Sequence, residues 1–294
     1  MDRSHIRELD AKYIANTYAR FPVEIVSGKG SIATDVNGKD YIDMGSGIGV
    51  TALGYGNTAW LEAVTAQAAR LPHASNLYYT EPYIRLAEQL TARTGMARAF
   101  FANGGGEANE GMIKLCRKYS FDKYGQGRST IITLRDSFHG RTVTTLAATG
   151  QDVFHQYFFP FTEGFVYAEA NDIGSVREKD DGTVCAVMME LVQGEGGVLP
   201  LNYDFVQQVK ALCEEKDWLL AVDEVQTGVG RTGSLFCFQQ YGVLPDVMSF
   251  AKGIAGGLPF GGFMANEKTK NVLGFGTHAT TFGANPICAA GALS

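Results

Sequence analysis

The sequence lacks the positive charge of a nucleic-acid-binding protein: 25 Lys and Arg stand against 31 Asp and Glu, a net charge of −6. A protein of this charge is not attracted to nucleic acid or to an anionic membrane surface. The first 21 residues mix acids, bases and apolar residues, which is neither a signal-peptide pattern nor a membrane-spanning one. We therefore expect a cytoplasmic protein whose partners are small molecules, with no nucleic acid and no membrane.

The cysteines lack the spacing of a metal site or a disulfide framework. They are five in number, widely separated and mostly inside apolar patterns. An odd, scattered set is typical of small buried residues in a reducing compartment. This interpretation applies to Cys116, Cys185, Cys213, Cys237 and Cys288, and no metal is expected.

Two nucleotide-binding motifs are also missing. The sequence has no G-x-x-x-x-G-K-[ST] loop, so the acidic strand pattern at 219–224 does not indicate a nucleotide hydrolase. The stretches 228–233 and 28–33 fit strict and loose forms of the dinucleotide-binding glycine pattern. The first leaves no room for a crossover helix and the second lies in a predicted hairpin, so the context excludes a dehydrogenase.

Glycine is abundant, at 36 of 294 residues, about 12% against a usual ~7%. From Arg98 onward, short apolar runs alternate with helical patterns, which predicts an α/β fold with a mostly parallel sheet and helices on both faces. Residues 22–44 are predicted to form short hairpin strands before this domain. Helices are predicted at 58–70, 82–93, 107–124, 141–149, 203–216 and after Pro286, and strands from 98 and at 129–134, 182–190, 219–222 and 247–250.

A carboxylate and an amine follow two of these strands. Asp223 comes at the end of the run 219–222, and Lys252 follows the run 247–250. Open α/β sheets bind ligands at the carboxyl ends of their strands. A lysine amine forms a Schiff base with an aldehyde cofactor, and an Asp carboxylate pairs with the pyridine nitrogen of pyridoxal phosphate. A solvated lysine and a helix-capping Asp are the alternative interpretation of this spacing.

A phosphate site is predicted where a strand leads into Gly104, Gly105 and Gly106 and then into a helix. Free backbone amides at a helix start, with no side chains in the way, suit one phosphate group. The alternative is a glycine turn with acidic capping by Glu107 and Glu110.

Two further loops carry candidate ligand groups. After the strand at 129–134, Phe138 can stack on a planar ring and Arg141 can bind a substrate carboxylate in bidentate fashion. His139 between them is interpreted as a hydrogen-bonded structural histidine rather than a catalytic base. Glu190 and Glu195 lie in another glycine-rich loop, where they face either a substrate amine or an arginine, or are simply solvated.

Together these stretches resemble the class III pyridoxal phosphate-dependent aminotransferases. The resemblance extends from about Ala11 to the last residue, and its motifs occur in the family's order: ANEGMIKLCRKY, FHGRT, VQGEGG, AVDEVQTGVGRTG, AKG and TFGANP. It implies fold type I, with a large domain around a mixed seven-stranded sheet, and pyridoxal 5′-phosphate as cofactor. It also implies ping-pong transfer of an amino group from a donor such as N-acetylornithine to 2-oxoglutarate. Ornithine, succinylornithine or 4-aminobutyrate as donor, or a non-catalytic cofactor-binding relative, remain open.

The resemblance also implies a role for each matching residue. Lys252 holds the cofactor and moves the proton during transfer, and Asp223 pairs with the pyridinium. Gly105 and Gly106 give backbone amides to the phosphate, Phe138 stacks on the ring, and Gln226 lies near the phenolic oxygen. Arg141 binds the substrate carboxylate, Glu190 and Glu195 belong to the substrate site, and Thr281 reaches the phosphate of the partner subunit in a homodimer.

Three departures from the family pattern bear on these expectations. Gly104 stands where the family usually has Ser, and Leu191 where it has Pro after Glu190. About a hundred C-terminal residues of the family have no counterpart here. We accordingly expect residues 1–45 to belong to a small domain that is otherwise largely missing, and residues 46–294 to form an incomplete large domain.

Overall fold

A seven-stranded sheet forms the centre of the computed structural model, which describes residues 3–294. The strand order is β4-β12-β11-β10-β7-β5-β6. Six strands run in the same direction and β12 alone runs against its neighbours β11 and β4. The strands of this sheet are β4 (Arg98–Ala102), β5 (Thr130–Leu134), β6 (Phe165–Ala168), β7 (Val184–Met189), β10 (Leu219–Asp223), β11 (Val247–Phe250) and β12 (Gly261–Ala265).

The central strands are buried on both faces. Every residue of β7, β10 and β11 is buried, as expected for strands covered by helices on both sides. Two apolar clusters result, one on each face; Val222 and Phe250 belong to one, and Leu219 and Ala221 to the other. The α/β fold with a mostly parallel sheet is therefore confirmed, and all five cysteines are buried and unpaired.

Helices cover the sheet and connect its strands. Asn57 caps α3 by accepting a hydrogen bond from the Trp60 amide at 3.0 Å. Helix α4 has Pro near its start, and Gly95, with φ of 76°, caps its C-terminal end. The helices are α1 (Arg3–Tyr13), the single turn α2 (Ser46–Gly49), α3 (Thr58–Arg70), α4 (Glu81–Thr94), α5 (Gly105–Tyr124), α6 (Val143–Ala148), α7 (Ile173–Arg177), α8 (Tyr203–Lys216) and α9 (Pro286–Leu293). In the described range none is long and apolar enough to cross a membrane.

The region before the main sheet forms a separate antiparallel sheet, as the hairpin pattern predicts. It consists of β1 (Ile25–Lys29), β2 (Ile32–Asp35) and β3 (Asp40–Ile42). The turn at Asn37 and Gly38 is held by Asp35, whose carboxylate accepts the amides of Asn37 and Lys39 at 2.8 and 2.9 Å. A short hairpin, β8 (Val192–Gln193) and β9 (Leu199–Pro200), lies in the loop after β7.

The motif 228–233 lies in turns followed by a three-residue 3₁₀ turn at Cys237–Gln239, with no crossover helix directly after it. The stretch 28–33 lies in the β1–β2 hairpin. Both placements agree with the exclusion of a dinucleotide site.

Candidate active site

The candidate residues meet at the carboxyl edge of the central sheet. Strands β11, β10, β7 and β5 are parallel neighbours, so the loops after them leave from the same edge. Asp223 ends β10, and Lys252 follows β11 after one intervening residue. Glu190 comes directly after β7, and the loop after β5 carries Phe138.

Asp223 is a buried carboxylate with four hydrogen-bond donors. It is 2% exposed, and burial of a charge at this depth requires hydrogen-bond partners. Two donors bind Oδ2, namely Asn109 Nδ2 at 2.7 Å and His139 Nδ1 at 2.8 Å. The other two bind Oδ1, namely the Val225 amide at 2.9 Å and Ser249 Oγ at 3.3 Å. The carboxylate is thus fixed in orientation by helix α5, the β5 loop, its own turn and β11.

His139 is a buried, hydrogen-bonded histidine. Because its Nδ1 contacts a carboxylate, Nδ1 carries the proton; its Nε2 is buried and has no partner among the described residues. Its backbone amide donates to Thr149 Oγ1 at 3.0 Å. The ring thus supports Asp223 from behind, which agrees with its interpretation as a structural histidine.

Glu190 is buried beside these two residues. Its carboxylate accepts the backbone amide of Phe138 at 2.9 Å and that of Gly194 at 3.4 Å. Burial raises the pKa of Glu190, the nearby His139 opposes this, and the charge on Asp223 adds to it. Glu190 therefore connects the loop after β7 to the residue expected to stack on the cofactor.

Lys252 faces the same cluster from the next strand. Burial lowers its pKa, and the carboxylates of Asp223, Glu190 and Glu195 raise it, so these three acids are the charges that the amine faces. Its Nζ donates to Gln226 Oε1. The backbone at Lys252 is left-handed, with φ of 50°, which turns the chain sharply at the end of β11.

Gln226 is held between two glycines. A Cβ at Gly49 would lie 3.1 Å from Gln226 Nε2, and one at Gly194 would lie 2.7 Å from Gln226 Cγ. The end of α2 and the loop after β7 approach this side chain so closely that larger residues at these two positions would displace it. Gln226 therefore has a fixed place next to the lysine.

The start of helix α5 has the form expected of a phosphate site. Gly104 is the N-cap residue, with extended backbone and no side-chain hydrogen bond, so the first amides of the helix are left for a ligand. A Cβ at Gly105 would lie 2.7 Å from Val225 Cγ1, whereas one at Gly104 would meet nothing within 4 Å. Glycine thus allows the helix start to lie against the turn that follows Asp223. Glu107 caps the glycine turn at the start of α5, because its carboxylate accepts a hydrogen bond from the Asn103 amide at 2.9 Å.

Arg141 is exposed above two aromatic rings. Its guanidinium carbon lies 4.0 Å from the ring centroid of Phe154 and 5.5 Å from that of Phe138. Among the ion pairs of the described residues, none involves Arg141. Its neighbour Thr142 donates to Glu110 Oε1 at 2.6 Å, which ties this loop to helix α5. The guanidinium is thus oriented by stacking and available to a carboxylate.

The two remaining candidates are exposed. Glu195 accepts a hydrogen bond from Gln151 Nε2 at 2.6 Å. Thr281 lies in the segment between β12 and α9. Within the described part of the chain, no contact is seen between Thr281 and Lys252 or Asp223.

Two supporting residues, Asn109 and Ser249, are not predicted from the sequence, although both donate to Asp223. Asn109 stands in the motif ANEGMIKLCRKY and Ser249 in the predicted strand 247–250. Glu224, the acid next to Asp223 at the same strand end, is fully buried. It accepts Thr227 Oγ1 at 2.5 Å and the Phe238 amide at 2.7 Å, and burial raises its pKa to about 7.

These residues fit pyridoxal phosphate. The buried carboxylate of Asp223 suits a pyridinium nitrogen, the neighbouring lysine suits an aldehyde, and the uncapped amides from Gly104 onward suit a phosphate. The carboxylate, the lysine and the free amides lie together at one edge of an α/β sheet. This combination defines a pyridoxal phosphate-dependent enzyme of the α/β transferase type.

The particular family follows from comparison with known proteins. The sequence model of the aminotransferase class-III family matches residues 13–294. The acetylornithine aminotransferase of Haemophilus ducreyi is 53% identical over 292 residues, which are 99% of this chain and 74% of that protein. The succinylornithine transaminase of Citrobacter koseri is 44% identical over 290 residues, 99% of this chain and 71% of that protein. The chain belongs to the class III aminotransferases and is a transaminase.

Solved structures agree with this assignment. Two structures of the ornithine aminotransferase from Toxoplasma gondii superpose with TM-scores of 0.95 and 0.94 at 30% identity, covering 100% and 99% of this chain and 70% of theirs. One of them reports partial occupancy of PLP at the active site. The expected cofactor, pyridoxal phosphate, is thereby confirmed, and the substrates are small amino acids and oxo acids.

Proposed function

We propose that this transaminase moves an amino group from N-acetylornithine, or a similar ornithine derivative, to 2-oxoglutarate by a ping-pong mechanism, as a step of arginine biosynthesis. The observation that carries the reaction type is the buried Asp223 carboxylate, with its four donors, next to the strand end that bears Lys252. The choice of donor is supported by the 53% identity to an acetylornithine aminotransferase.

When bound, pyridoxal phosphate carries the amino group between the two substrates and withdraws electrons from the carbon that loses a proton. Asp223 keeps a negative charge at the pyridine nitrogen, and His139 and Asn109 keep that carboxylate in place. The burial that lowers the pKa of Lys252 raises the share of neutral amine, the form that attacks a carbonyl and accepts a proton. We assign the catalytic roles to Lys252 and Asp223.

The remaining site residues bind and orient. Cofactor contacts are assigned to Gly104, Gly105, Gly106, Phe138, Gln226 and Thr281 in addition to the catalytic pair. Arg141, oriented by the two rings beneath it, binds a substrate carboxylate. Glu195 contacts substrate, and Glu190 serves the substrate site through the backbone of Phe138.

We further propose that the protein is a cytoplasmic homodimer whose sites are shared, with Thr281 of each chain reaching the phosphate in the other. The exposure of Thr281 supports this assignment. We also propose that residues 1–45, which carry the separate antiparallel sheet, belong to a small domain, and that residues 46–294 belong to the large one.

The donor is tested by adding cofactor to purified protein and following its visible absorption as amines are supplied. N-acetylornithine should give the largest kcat/KM among N-acetylornithine, N-succinylornithine, ornithine and 4-aminobutyrate, with glutamate formed from 2-oxoglutarate. Lys252→Ala should abolish the cofactor band, whereas the surface variant Lys270→Ala should keep it. A band that forms but responds to no donor would favour a non-catalytic cofactor-binding protein.

The shared site has a separate test. Mixed dimers of Lys252→Ala and Thr281→Ala subunits contain one site with both native residues. One of the two sites in each mixed dimer should therefore bind cofactor tightly, although neither parent dimer has such a site. No recovery of tight binding would contradict an exchange of Thr281 between subunits.

A further inference from the structure

Lys114 of helix α5 binds the segment that carries Thr281. Lys114 Nζ donates to the backbone oxygen of Thr277 at 2.9 Å and contacts His278 Nδ1 at 3.0 Å. The two acceptors belong to consecutive residues, so one ammonium fixes both the backbone and a side chain of the segment. Thr281 follows three residues later.

The ring of His278 is seated against the sheet and the helix. Its centroid lies 4.6 Å from that of Phe100 and 6.1 Å from that of Phe263. A Cβ at Gly111 would lie 3.1 Å from His278 Nε2, so glycine in α5 allows the ring to approach the helix. The ring therefore has a defined position to which the lysine can bind.

A second anchor holds the other side of Thr281. Asn76 Nδ2 donates to the backbone oxygen of Gly283 at 2.9 Å, and the Gly283 amide donates to Thr280 Oγ1 at 3.1 Å. A Cβ at Gly283 would lie 2.3 Å from the backbone oxygen of Phe101, which admits only glycine. Thr281 thus stands on a short span between two fixed points, of which the Lys114 contact is the exposed one.

We propose that Lys114 and His278 are positioning residues for Thr281, because the ammonium holds two consecutive residues of its segment and so determines where the threonine hydroxyl lies. The inference rests on the proposed function, in which Thr281 contacts cofactor phosphate in the partner subunit. In this role the pair acts through Thr281 rather than by binding substrate or cofactor.

The pair depends on the charge of His278. A lysine ammonium has donors only, so Nδ1 must be unprotonated to accept from it. Burial and the Lys114 charge lower the pKa of His278, while Glu107 and Glu110 of the same helix raise it. Arg98 of β4 lines the same cavity of about 860 Å³ as the ring, and the rings of Phe100 and Phe263 bring no charge.

The contact between Lys114 and His278 should be lost in acid. A histidine whose pKa is lowered by folding contributes stability that is present above its ordinary value of 6.5 and is lost as the pH falls below it. Protonation places two cations at the same contact, which expels the lysine and releases the segment. Retention of the cofactor by the holoenzyme should therefore weaken in mild acid.

The test measures the dissociation constant of pyridoxal phosphate for the holoenzyme at pH 7.5 and pH 5.5, from its absorption and fluorescence. Lys114→Met should weaken binding about 2- to 12-fold at pH 7.5, the range for loss of one ordinary hydrogen bond. Lys118→Met, one turn further along α5 at a lysine paired with Asp122, is the matched control and should change nothing.

His278→Asn separates positioning from general stability. The asparagine oxygen can accept from Lys114 at both pH values, so this variant should bind cofactor like the wild type at pH 7.5 and lose less than the wild type at pH 5.5. Hydrogen exchange of residues 273–285 at pH 7.5 gives a second readout, and it should be faster in Lys114→Met than in Lys118→Met.

Thr281→Ala distinguishes the positioning role of Lys114 and His278 from the role of Thr281 itself. If it weakens binding while Lys114→Met binds cofactor like Lys118→Met at pH 7.5 and His278→Asn loses as much affinity as the wild type at pH 5.5, the positioning role is overturned and the role of Thr281 stands. If Thr281→Ala has no effect on binding, the proposed role of Thr281 fails first.

Discussion

Gly104→Ser should tighten the binding of pyridoxal phosphate. The position accepts the change, because the backbone is extended, with φ of −174° and ψ of 178°, and a Cβ there meets nothing within 4 Å. Gly104 caps α5 without a side-chain hydrogen bond, so a hydroxyl at this point adds a donor beside the free amides of the first turn. A hydrogen bond to a charged acceptor contributes about 1.5–3 kcal/mol, which corresponds to roughly a 10- to 150-fold lower dissociation constant.

The assay is titration of cofactor-free protein with pyridoxal phosphate, followed by the visible absorption of the bound form. Gly104→Ala is the matched control, since it adds the Cβ and the same loss of backbone freedom without the hydroxyl. The serine variant should bind more tightly than both the wild type and the alanine variant. Equal dissociation constants for serine and alanine would refute the idea that the glycine leaves a donor position unfilled.

Three further predictions follow from buried groups. His139→Ala removes one of four donors from Asp223 and should weaken cofactor binding about tenfold or more, since a hydrogen bond to a charged group contributes roughly 1.5–3 kcal/mol. His139→Asn, which can still donate, should recover part of the loss, and equal binding by both variants would contradict the role of that hydrogen bond. Burial raises the pKa of Glu224 from 4.5 to about 7, so the folded protein favours the protonated acid and loses stability as the pH rises from 4.5 through 7. Denaturant unfolding at pH 5 and pH 8 should show Glu224→Gln escaping this loss of about 3 kcal/mol, and parallel curves for both proteins would disprove it. Leu191 is completely buried, so Leu191→Ala should lower the free energy of unfolding by about 2–5 kcal/mol, whereas Leu199→Ala, at a residue 45% exposed, should cost far less.

Much of the fold can be predicted because its strands and helices have clear local patterns. Asn57 before a helical pattern and the apolar run 247–250 identify α3 and β11 to the residue. Strand β12 is not predicted, because it begins with two glycines that disfavour an isolated strand. The sheet requires both of them: a Cβ at Gly262 would lie 2.1 Å from the backbone oxygen of Phe100, and one at Gly261 would lie 2.8 Å from that of Phe250. Such a requirement comes from a neighbouring strand and leaves no local signal.

The residues of the candidate site also include some that the sequence predicts and some that it does not. Asp223 and Lys252 can be predicted because each stands at the end of an apolar run, and parallel strands bring such ends together. The surroundings of Asp223 cannot, because Asn109 reaches it from the second turn of α5 and His139 from another loop. The buried position of Glu190 likewise depends on the path of the loop after β7, which no spacing in the sequence specifies.

The order of strands in the sheet has a consequence for synthesis on the ribosome. Strand β4 forms an edge, and its single neighbour in the sheet is β12, about 160 residues further along the chain. At about 5–20 residues per second, translation leaves the segment Arg98–Ala102 without its pairing partner for roughly 8 to 30 seconds. During that interval an apolar edge with two phenylalanines is available to other nascent chains. The yield of folded enzyme should therefore fall at high temperature and high expression rate, because both favour association of this edge with other chains before β12 is made.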